Sequence, residues 1–157
     1  MIASSVALKE VPPTTFIVSS QDDVTIPEIP AIARNEVDQL IATIEEEGLV
    51  ATSPVVFIYH GADGTPTTRF KLTLAFPLAQ RPKTVPAPYE ILDSPTFKCV
   101  AMEFVGAMQD IMAGYARLFD AVDELGLSFT GESREIYRKW VGYESDDNVT
   151  ELQLGVK

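Results

Sequence analysis

The segment at positions 131–140, GESREIYRKW, holds the residues whose types and spacing point most directly to chemistry. It has the length of a β-strand, and Ile136, Tyr137 and Trp140 are residue types that favour strands. Because strand side chains alternate between two faces, Glu135 and Tyr137 lie on the same face. A carboxylate beside aromatic rings can neutralise a cationic ligand, and in apolar surroundings it can also deliver a proton.

An internal repeat indicates that Glu135 is enclosed. Gly48 aligns with Gly126, an offset of 126 − 48 = 78 residues, and the alignment continues without a gap. It places Phe57 of the first half on Glu135 of the second half. A position whose counterpart is a large aromatic is expected to be buried, and a buried carboxylate must be protonated, hydrogen-bonded or kept for a cation.

A second interpretation of Glu135 remains open. Antiparallel sheets often have one face in water, so Glu135 could instead be exposed on such a face or paired with Arg134 or Arg138. Glu151, in the segment VTELQLGV, presents the same choice. It alternates away from the apolar positions of its strand, and there we expect exposure or pairing with an arginine.

The elements that position these residues follow from the hydrophobic periodicity and from the turn residues. The pattern predicts strands at 6–20, 55–60, 67–78, 89–105 (with a break at 93–95), 129–141 and 149–156. It predicts helices at 26–48 and 109–125, each of which stops at a glycine. The polar stretch 19–25 indicates a loop, and the proline-rich stretch 79–88 indicates a stiff connector.

Apolar stripes at helical spacing mark the buried faces of the two predicted helices. In the first helix the stripe consists of Ala33, Val37, Leu40, Ile41 and Ile44. In the second it consists of Ile111, Tyr115, Leu118, Phe119, Val122 and Leu125.

Each half, about 6–80 and 88–157, therefore reads strand–helix–strand–strand. Neither half has much core alone, so we expect one α+β domain over residues 1–157. In it, two tandem modules related by a pseudo-twofold pack an antiparallel sheet against two long helices.

Composition and charge exclude several classes of function. The formal net charge is -11, and the sequence shows no cluster of lysines and arginines that could bind phosphates. Both features argue against a nucleic-acid partner. No apolar run approaches about 18 residues, so no membrane span is expected. One cysteine, Cys99, and the lack of a secretory signal favour the cytoplasm. The sequence leaves open whether two copies form a homodimer.

Other catalytic or cofactor chemistry finds little support in the sequence. The chain has one histidine, His60, at the end of a predicted hairpin strand, where a surface role is expected. No His, Cys or carboxylate spacing matches a metal site, and GADG indicates a hairpin turn instead of a phosphate loop. Neither a metal nor a cofactor is therefore expected.

The repeat, the segment GESREIYRKW, the spacing of Gly106 and Tyr115, and the ending TELQLGV resemble the gyrase-inhibitor-like (GyrI-like) effector-binding domains. The same domain forms the ligand-sensing part of some multidrug-responsive activators of the MerR and AraC classes. The resemblance implies a ligand cleft between two modules and a buried glutamate, surrounded by aromatics, that holds lipophilic cations. Glu135 matches that glutamate. Because no helix-turn-helix segment precedes the domain, a stand-alone version is expected.

Three functions follow, in descending order of support. The first is sequestering or sensing lipophilic cationic or aromatic compounds. The candidate ligand-binding residues are Glu135, Tyr137, Phe57, Tyr59, Trp140, Met108 and Met112. The second is hydrolysis of the strained rings of DNA-alkylating natural products, as in some relatives that resemble this domain, with Glu135 as the catalytic residue. The third is an acidic protein that binds a DNA-handling enzyme such as gyrase.

Overall fold

The chain folds as an α+β protein with an antiparallel sheet and two helices, as the sequence predicts, and the sheet is curled. The structure, a computed structural model, describes residues 2–3 and 5–157. Its strands are β1 (Ile2–Ala3), β2 (Ala7–Val11), β3 (Thr14–Val24), β4 (Val56–His60), β5 (Phe70–Pro77), β6 (Glu90–Ser94), β7 (Phe97–Val105), β8 (Phe129–Lys139) and β9 (Val149–Val156). Its helices are α1 (Ile29–Glu46) and α2 (Ile111–Glu124), each preceded by one turn of 3-10 helix, Ile26–Glu28 and Met108–Asp110.

The described strands form one sheet in the order β1-β7-β9-β8-β4-β5-β3-β6, and β2 also pairs with β7. All pairs are antiparallel. The two halves meet at the centre, where β4 pairs with β8 and Phe57 lies directly opposite Glu135. The residues that the internal alignment makes equivalent are therefore cross-strand neighbours. A twofold relation between the whole halves stays a prediction, which superposing them would test.

Both helices lie on the same face of the sheet, but over different strands. α1 contacts β3 and β5, and α2 contacts β7 and β9. The central strands β4 and β8 lie between these two contact zones, and helix-side residues of both strands, such as Tyr59 and Glu135, border a cavity. Within the described residues, no helix is long and apolar enough to cross a membrane.

A glycine allows α2 to approach the sheet closely. A Cβ atom at Gly114 would lie 2.7 Å from Cδ1 of Leu152 and 3.0 Å from Cδ1 of Phe104. Since real Cβ atoms keep a larger distance, any side chain here would push the helix away from β7 and β9. Leu118 and Val122, further along the same face of α2, complete this part of the core.

The predicted loop at 19–25 is wrong, because β3 continues to Val24. Ser19 to Gln21 pair with β5 in register, and an irregularity follows before Val24 pairs with Phe70. The polar side chains of this segment show no hydrophobic periodicity, so the sequence pattern did not predict a strand here. The segment is a strand because its backbone pairs with β5.

Some residues of the predicted apolar stripes of the two helices are not buried in the structure. Ile41, Phe119 and Leu125 are exposed. A helix packed on one sheet buries only the residues that point directly at it, and those at the border of the stripe remain in contact with water.

Of the two arrangements expected for Glu151, the structure shows pairing. Glu151 is 8% exposed and accepts hydrogen bonds from Lys9 Nζ at 2.6 Å and Arg138 Nη2 at 2.9 Å. It lies on the sheet face away from the helices, because it alternates with Leu152 along β9.

Candidate functional site

Glu135 occupies the centre of β8, the middle strand of the sheet, and its side chain points to the helix face. Its cross-strand partners are Phe57 on β4 and Leu152 on β9. The residue is only 5% exposed. The burial that the repeat comparison predicts for this carboxylate is therefore present, and exposure on a solvated face is excluded.

Three tyrosine hydroxyls donate hydrogen bonds to the Glu135 carboxylate. Tyr59 and Tyr137 donate to Oε1, at 3.0 Å and 2.5 Å. Tyr115 on α2 donates to Oε2 at 2.5 Å. Arg134 and Arg138, the alternative partners considered from sequence, point to the opposite face because they occupy alternate positions of the strand. The carboxylate thus has neutral donors and no described basic partner.

Burial controls the electrostatics of this cluster. It raises the pKa of Glu135, although the three tyrosine hydrogen bonds act in the opposite direction. Burial, and then the neighbouring Glu135 charge, raise the pKa of Tyr59, Tyr115 and Tyr137 well above its ordinary value. The tyrosines therefore stay protonated as donors, and the carboxylate carries an energetic cost that a bound cation would lower.

A cavity of about 400 Å³ lies beside this cluster, between the helices. Its wall is mostly apolar and aromatic. It includes Ile29 and Ile111 at the starts of the two helices, and Phe70 of β5. The described residues that line it include two carboxylates, Glu135 and Asp63, and no lysine, arginine or histidine. The volume is within the range of small-molecule sites.

Asp63 is held in the loop between β4 and β5. Its Oδ1 accepts hydrogen bonds from the backbone N and the hydroxyl of Thr65, both at 2.9 Å, and its Oδ2 accepts one from Thr68 at 2.8 Å. These bonds, the backbone bond of Thr65 first, hold the pKa of Asp63 below its usual value. The cavity therefore has an ionised carboxylate in its loop wall in addition to the buried one.

The candidate residues named from sequence divide into two groups. Glu135, Tyr137, Tyr59, Met108 and Met112 line the cavity. Their role toward a ligand remains a proposal.

Phe57 and Trp140 are not among the described lining residues. Phe57 is buried and packs edge-to-face against Tyr137, with ring centroids 4.7 Å apart. Trp140 is 52% exposed, and its ring centroid lies 5.8 Å from that of Tyr137, again edge-to-face. Both rings therefore fix the orientation of Tyr137 instead of facing the cavity.

Sequence reasoning did not single out Tyr115 as a site residue, although it placed Tyr115 on the apolar face of the second helix. A tyrosine within a stripe whose other members have no polar atom was the available signal, because a buried hydroxyl requires a partner. Phe70, Tyr143 and Asp63 were missed as well. Asp63 and Phe70 are distant from Glu135 in sequence, Tyr143 lies in the turn after β8, and no local pattern links them to Glu135.

His60 has a surface position, as expected. Its side chain is 46% exposed, and Nε2 lies 3.2 Å from Glu132 Oε1. It is not among the described residues that line the cavity. Within the described chain, no group of three or more His, Cys, Asp or Glu residues is arranged to hold a metal ion.

Comparison with known proteins identifies the family. The model of the GyrI-like small molecule binding domain matches residues 5–157, so the chain belongs to this family. A search of curated protein sequences found no match.

Solved structures share the fold at low sequence identity. The EcmrR C-terminal domain has a TM-score of 0.80 and 18% identity, with coverage of 100% of this chain and 99% of that one. In the EcmrR–DNA complex the match has a TM-score of 0.76 and 20% identity, and it covers 98% of this chain but 57% of the EcmrR chain.

Two further structures share the fold; one is described with a bound ligand and the other as a hydrolase. SAV2435 bound to tetraphenylphosphonium has a TM-score of 0.63 and 10% identity, with coverage of 98% and 94%. A hydrolase from Listeria innocua has a TM-score of 0.61 and 15% identity, with coverage of 97% and 91%. At these identities the comparisons establish the fold alone.

Proposed function

We propose that this GyrI-like domain binds lipophilic, aromatic cations in the cavity between its helices, with Glu135 as the neutralising charge. The observation that carries the proposal is a buried carboxylate whose three partners are all neutral hydroxyls, in a cavity whose described wall has no basic side chain. Sequestration and sensing of such compounds are both compatible with this chemistry.

The energetics favour a cation over a neutral or anionic ligand. A buried carboxylate with only neutral donors has lost its hydration without gaining an opposite charge. A cationic ligand supplies that charge within a medium of low dielectric constant, where the attraction is strong. Asp63 adds a second negative charge to the wall and so increases the attraction for a positive ligand.

The wall also explains why the ligand should be aromatic or otherwise lipophilic. The rings of Tyr59, Tyr137 and Phe70 lie along the cavity, and each cation–π contact contributes about 0.5–2 kcal/mol when it is desolvated. Met108 and Met112 add flexible side chains that adapt to different shapes. This combination suits a site that accepts several related compounds.

The relative SAV2435, whose structure is described with tetraphenylphosphonium, supports the same ligand class. Tetraphenylphosphonium is therefore the first probe to test by isothermal titration calorimetry and by the fluorescence of Trp140, the one tryptophan of the chain. Trp140 contacts Tyr137, so a ligand beside Tyr137 is expected to change its emission.

Two matched controls separate charge from shape. Tetraphenylborate has nearly the same shape with the opposite charge and should not bind. Glu135→Gln should weaken tetraphenylphosphonium binding by about 10- to 100-fold, the loss expected for one charged interaction. Glu46→Gln, an exposed acid at the end of α1, should leave the affinity unchanged. Equal binding of the two probes, or an unaltered affinity in Glu135→Gln, would refute the proposal.

A hydrolase that opens strained, electrophilic rings is the second candidate, because burial raises the pKa of Glu135 toward the range useful for proton delivery. The fold shared with a hydrolase from Listeria innocua supports considering it. Turnover of a cyclopropane-containing alkylating compound, lost in Glu135→Gln, would establish this activity. Absence of turnover while tetraphenylphosphonium still binds would leave binding as the function.

A further inference from the structure

A second cavity, of about 300 Å³, opens on the sheet face away from the helices. Its charge is opposite to that of the first cavity. Among the described lining residues the basic side chains are Lys9, Arg134 and Arg138, and the acidic side chain is Glu10, which is exposed. A chain with 12 basic and 23 acidic residues thus places a quarter of its lysines and arginines around one small cavity.

Alternation along β8 produces both cavities. Glu135 and Tyr137 point to the helix face, whereas Arg134, Ile136 and Arg138 point to the opposite one. The two sites are therefore built back to back on consecutive residues of one strand. A ligand for the second cavity needs chemistry opposite to that of the first.

Arg134 forms the buried end of the second cavity, with its side chain 5% exposed. Its Nε donates to Glu132 Oε2 at 2.7 Å, and its Nη2 donates to Ser94 Oγ at 3.1 Å. The ring of Phe97 stacks at 3.8 Å from its guanidinium carbon. A guanidinium carries five N–H donors, and those of Nη1 have no hydrogen-bond partner among the described residues.

The carboxylates nearby do not saturate these cations. Glu132 is shared between Arg134 and His60, whose Nε2 lies 3.2 Å away. Glu151 is shared between Lys9 and Arg138, so one carboxylate serves two positive charges. With the exposed Glu10, three carboxylates thus face three cations, and what remains available to a ligand at the buried end is the N–H donors of Arg134 Nη1.

The remainder of the wall is apolar. Phe16, Val56 and Ile136 belong to the buried cluster on this face. Gln153, which is 4% exposed, adds a side-chain amide beside Arg134. A planar anion with an apolar body fits this combination, because a carboxylate can accept two parallel hydrogen bonds from a guanidinium.

We propose that the second cavity binds a small organic carboxylate, with Arg134 as its buried anion-binding residue and Lys9 and Arg138 at its rim. This site is separate from the cation site, and neither depends on the other for its support. Benzoate, a planar carboxylate on an aromatic ring, is the probe that represents the class. Inorganic phosphate, which lacks an apolar body, tests whether anionic charge alone is sufficient.

Binding is measured on the full chain by calorimetry and by amide chemical shifts of β8 and β9. Benzoate is expected to saturate with a Kd of about 1 mM, the order expected for a ligand of about nine non-hydrogen atoms, and phosphate to bind more weakly. A saturating concentration of tetraphenylphosphonium should not displace benzoate. Lack of saturation by about 20 mM benzoate, or displacement by tetraphenylphosphonium, would overturn the proposal.

Variants locate the site. Arg134→Lys keeps the charge but loses the planar fork, and should weaken benzoate about tenfold. Thr52→Trp fills the cavity from its exposed rim without altering the buried cluster and should abolish binding. Lys71→Gln, at an exposed residue that is not among the lining residues, should have no effect. Circular dichroism establishes that each variant is folded, and if Arg134→Lys is not, Thr52→Trp decides. Undiminished benzoate binding in Thr52→Trp would refute the site.

Discussion

Replacing Glu135 with glutamine is expected to stabilise the ligand-free protein near neutral pH while it weakens cation binding. The glutamine side chain has nearly the same shape. It keeps one oxygen that can accept the hydrogen bonds of Tyr59 and Tyr137, which both reach Oε1 in the wild type. The substitution therefore removes the buried negative charge and leaves most of the packing in place.

The magnitude follows from the burial of Glu135 among neutral partners. Burial raises the pKa of this carboxyl more than the tyrosine hydrogen bonds lower it, so ionisation costs the folded state free energy. Burying a polar group without a full partner costs about 1–3 kcal/mol in proteins. We expect Glu135→Gln to gain on that order at about pH 8, or roughly 2–4 °C in Tm for each kcal/mol.

The stability difference between Glu135→Gln and the wild type is expected to increase as the pH rises. At low pH Glu135 is protonated in both the folded and the unfolded chain, and the variant differs little from the wild type. As the pH rises through the ordinary value of 4.5, the unfolded chain ionises first. The wild type then loses stability relative to Glu135→Gln until the pH passes the raised pKa of the folded state.

Urea denaturation of both proteins between about pH 4 and pH 8.5 measures this difference. Glu46→Gln serves as the control, because Glu46 is exposed and should give a small difference at every pH. Two results would refute the conclusion that burial dominates the electrostatics of this site. One is that Glu135→Gln is less stable than the wild type at pH 8, and the other is that the difference in their free energies of unfolding does not vary with pH.

Three further predictions test the packing and the other charged contacts. Gly114→Ala should destabilise the protein by about 1–3 kcal/mol in urea denaturation, because the new Cβ meets Leu152 Cδ1 at 2.7 Å, while Gly142→Ala, with no neighbour within 4 Å, should be close to neutral. Tyr115→Phe removes one donor from the buried carboxylate and raises its pKa further, so calorimetric titrations should show that tetraphenylphosphonium affinity declines at a higher pH than in the wild type as the solution is acidified. Glu151→Gln should cost about 1 kcal/mol at neutral pH. Although burial acts to raise the pKa of this carboxyl, its basic partners hold that pKa below the usual value, so a pH series of denaturation curves should show that the cost declines as the pH falls through the lowered pKa.

The outcome for individual elements shows what periodicity can predict. The closing strand, Val149–Val156, has the predicted bounds, because alternating leucine and valine residues border a clear turn. The end of β3, residues 21–24, was predicted only as a loop, because its polar side chains carry no periodicity and its pairing partner is about fifty residues away. Periodicity reports contact with the core, but it does not report pairing with a neighbouring strand.

The amino-acid sequence was sufficient to predict the family and the burial of Glu135, since an internal alignment that places Phe57 at the same position predicts an enclosed carboxylate. Which side chains surround that carboxylate depends on the tertiary structure. Tyr59 and Tyr115 are separated from Glu135 by 76 and 20 residues, and they meet it because β4 pairs with β8 and α2 lies beside that strand. The division of β8 into a negative and a positive face was also decided there, because alternation fixes which residues share a face, whereas packing of the helices and curling of the sheet fix what each face encloses.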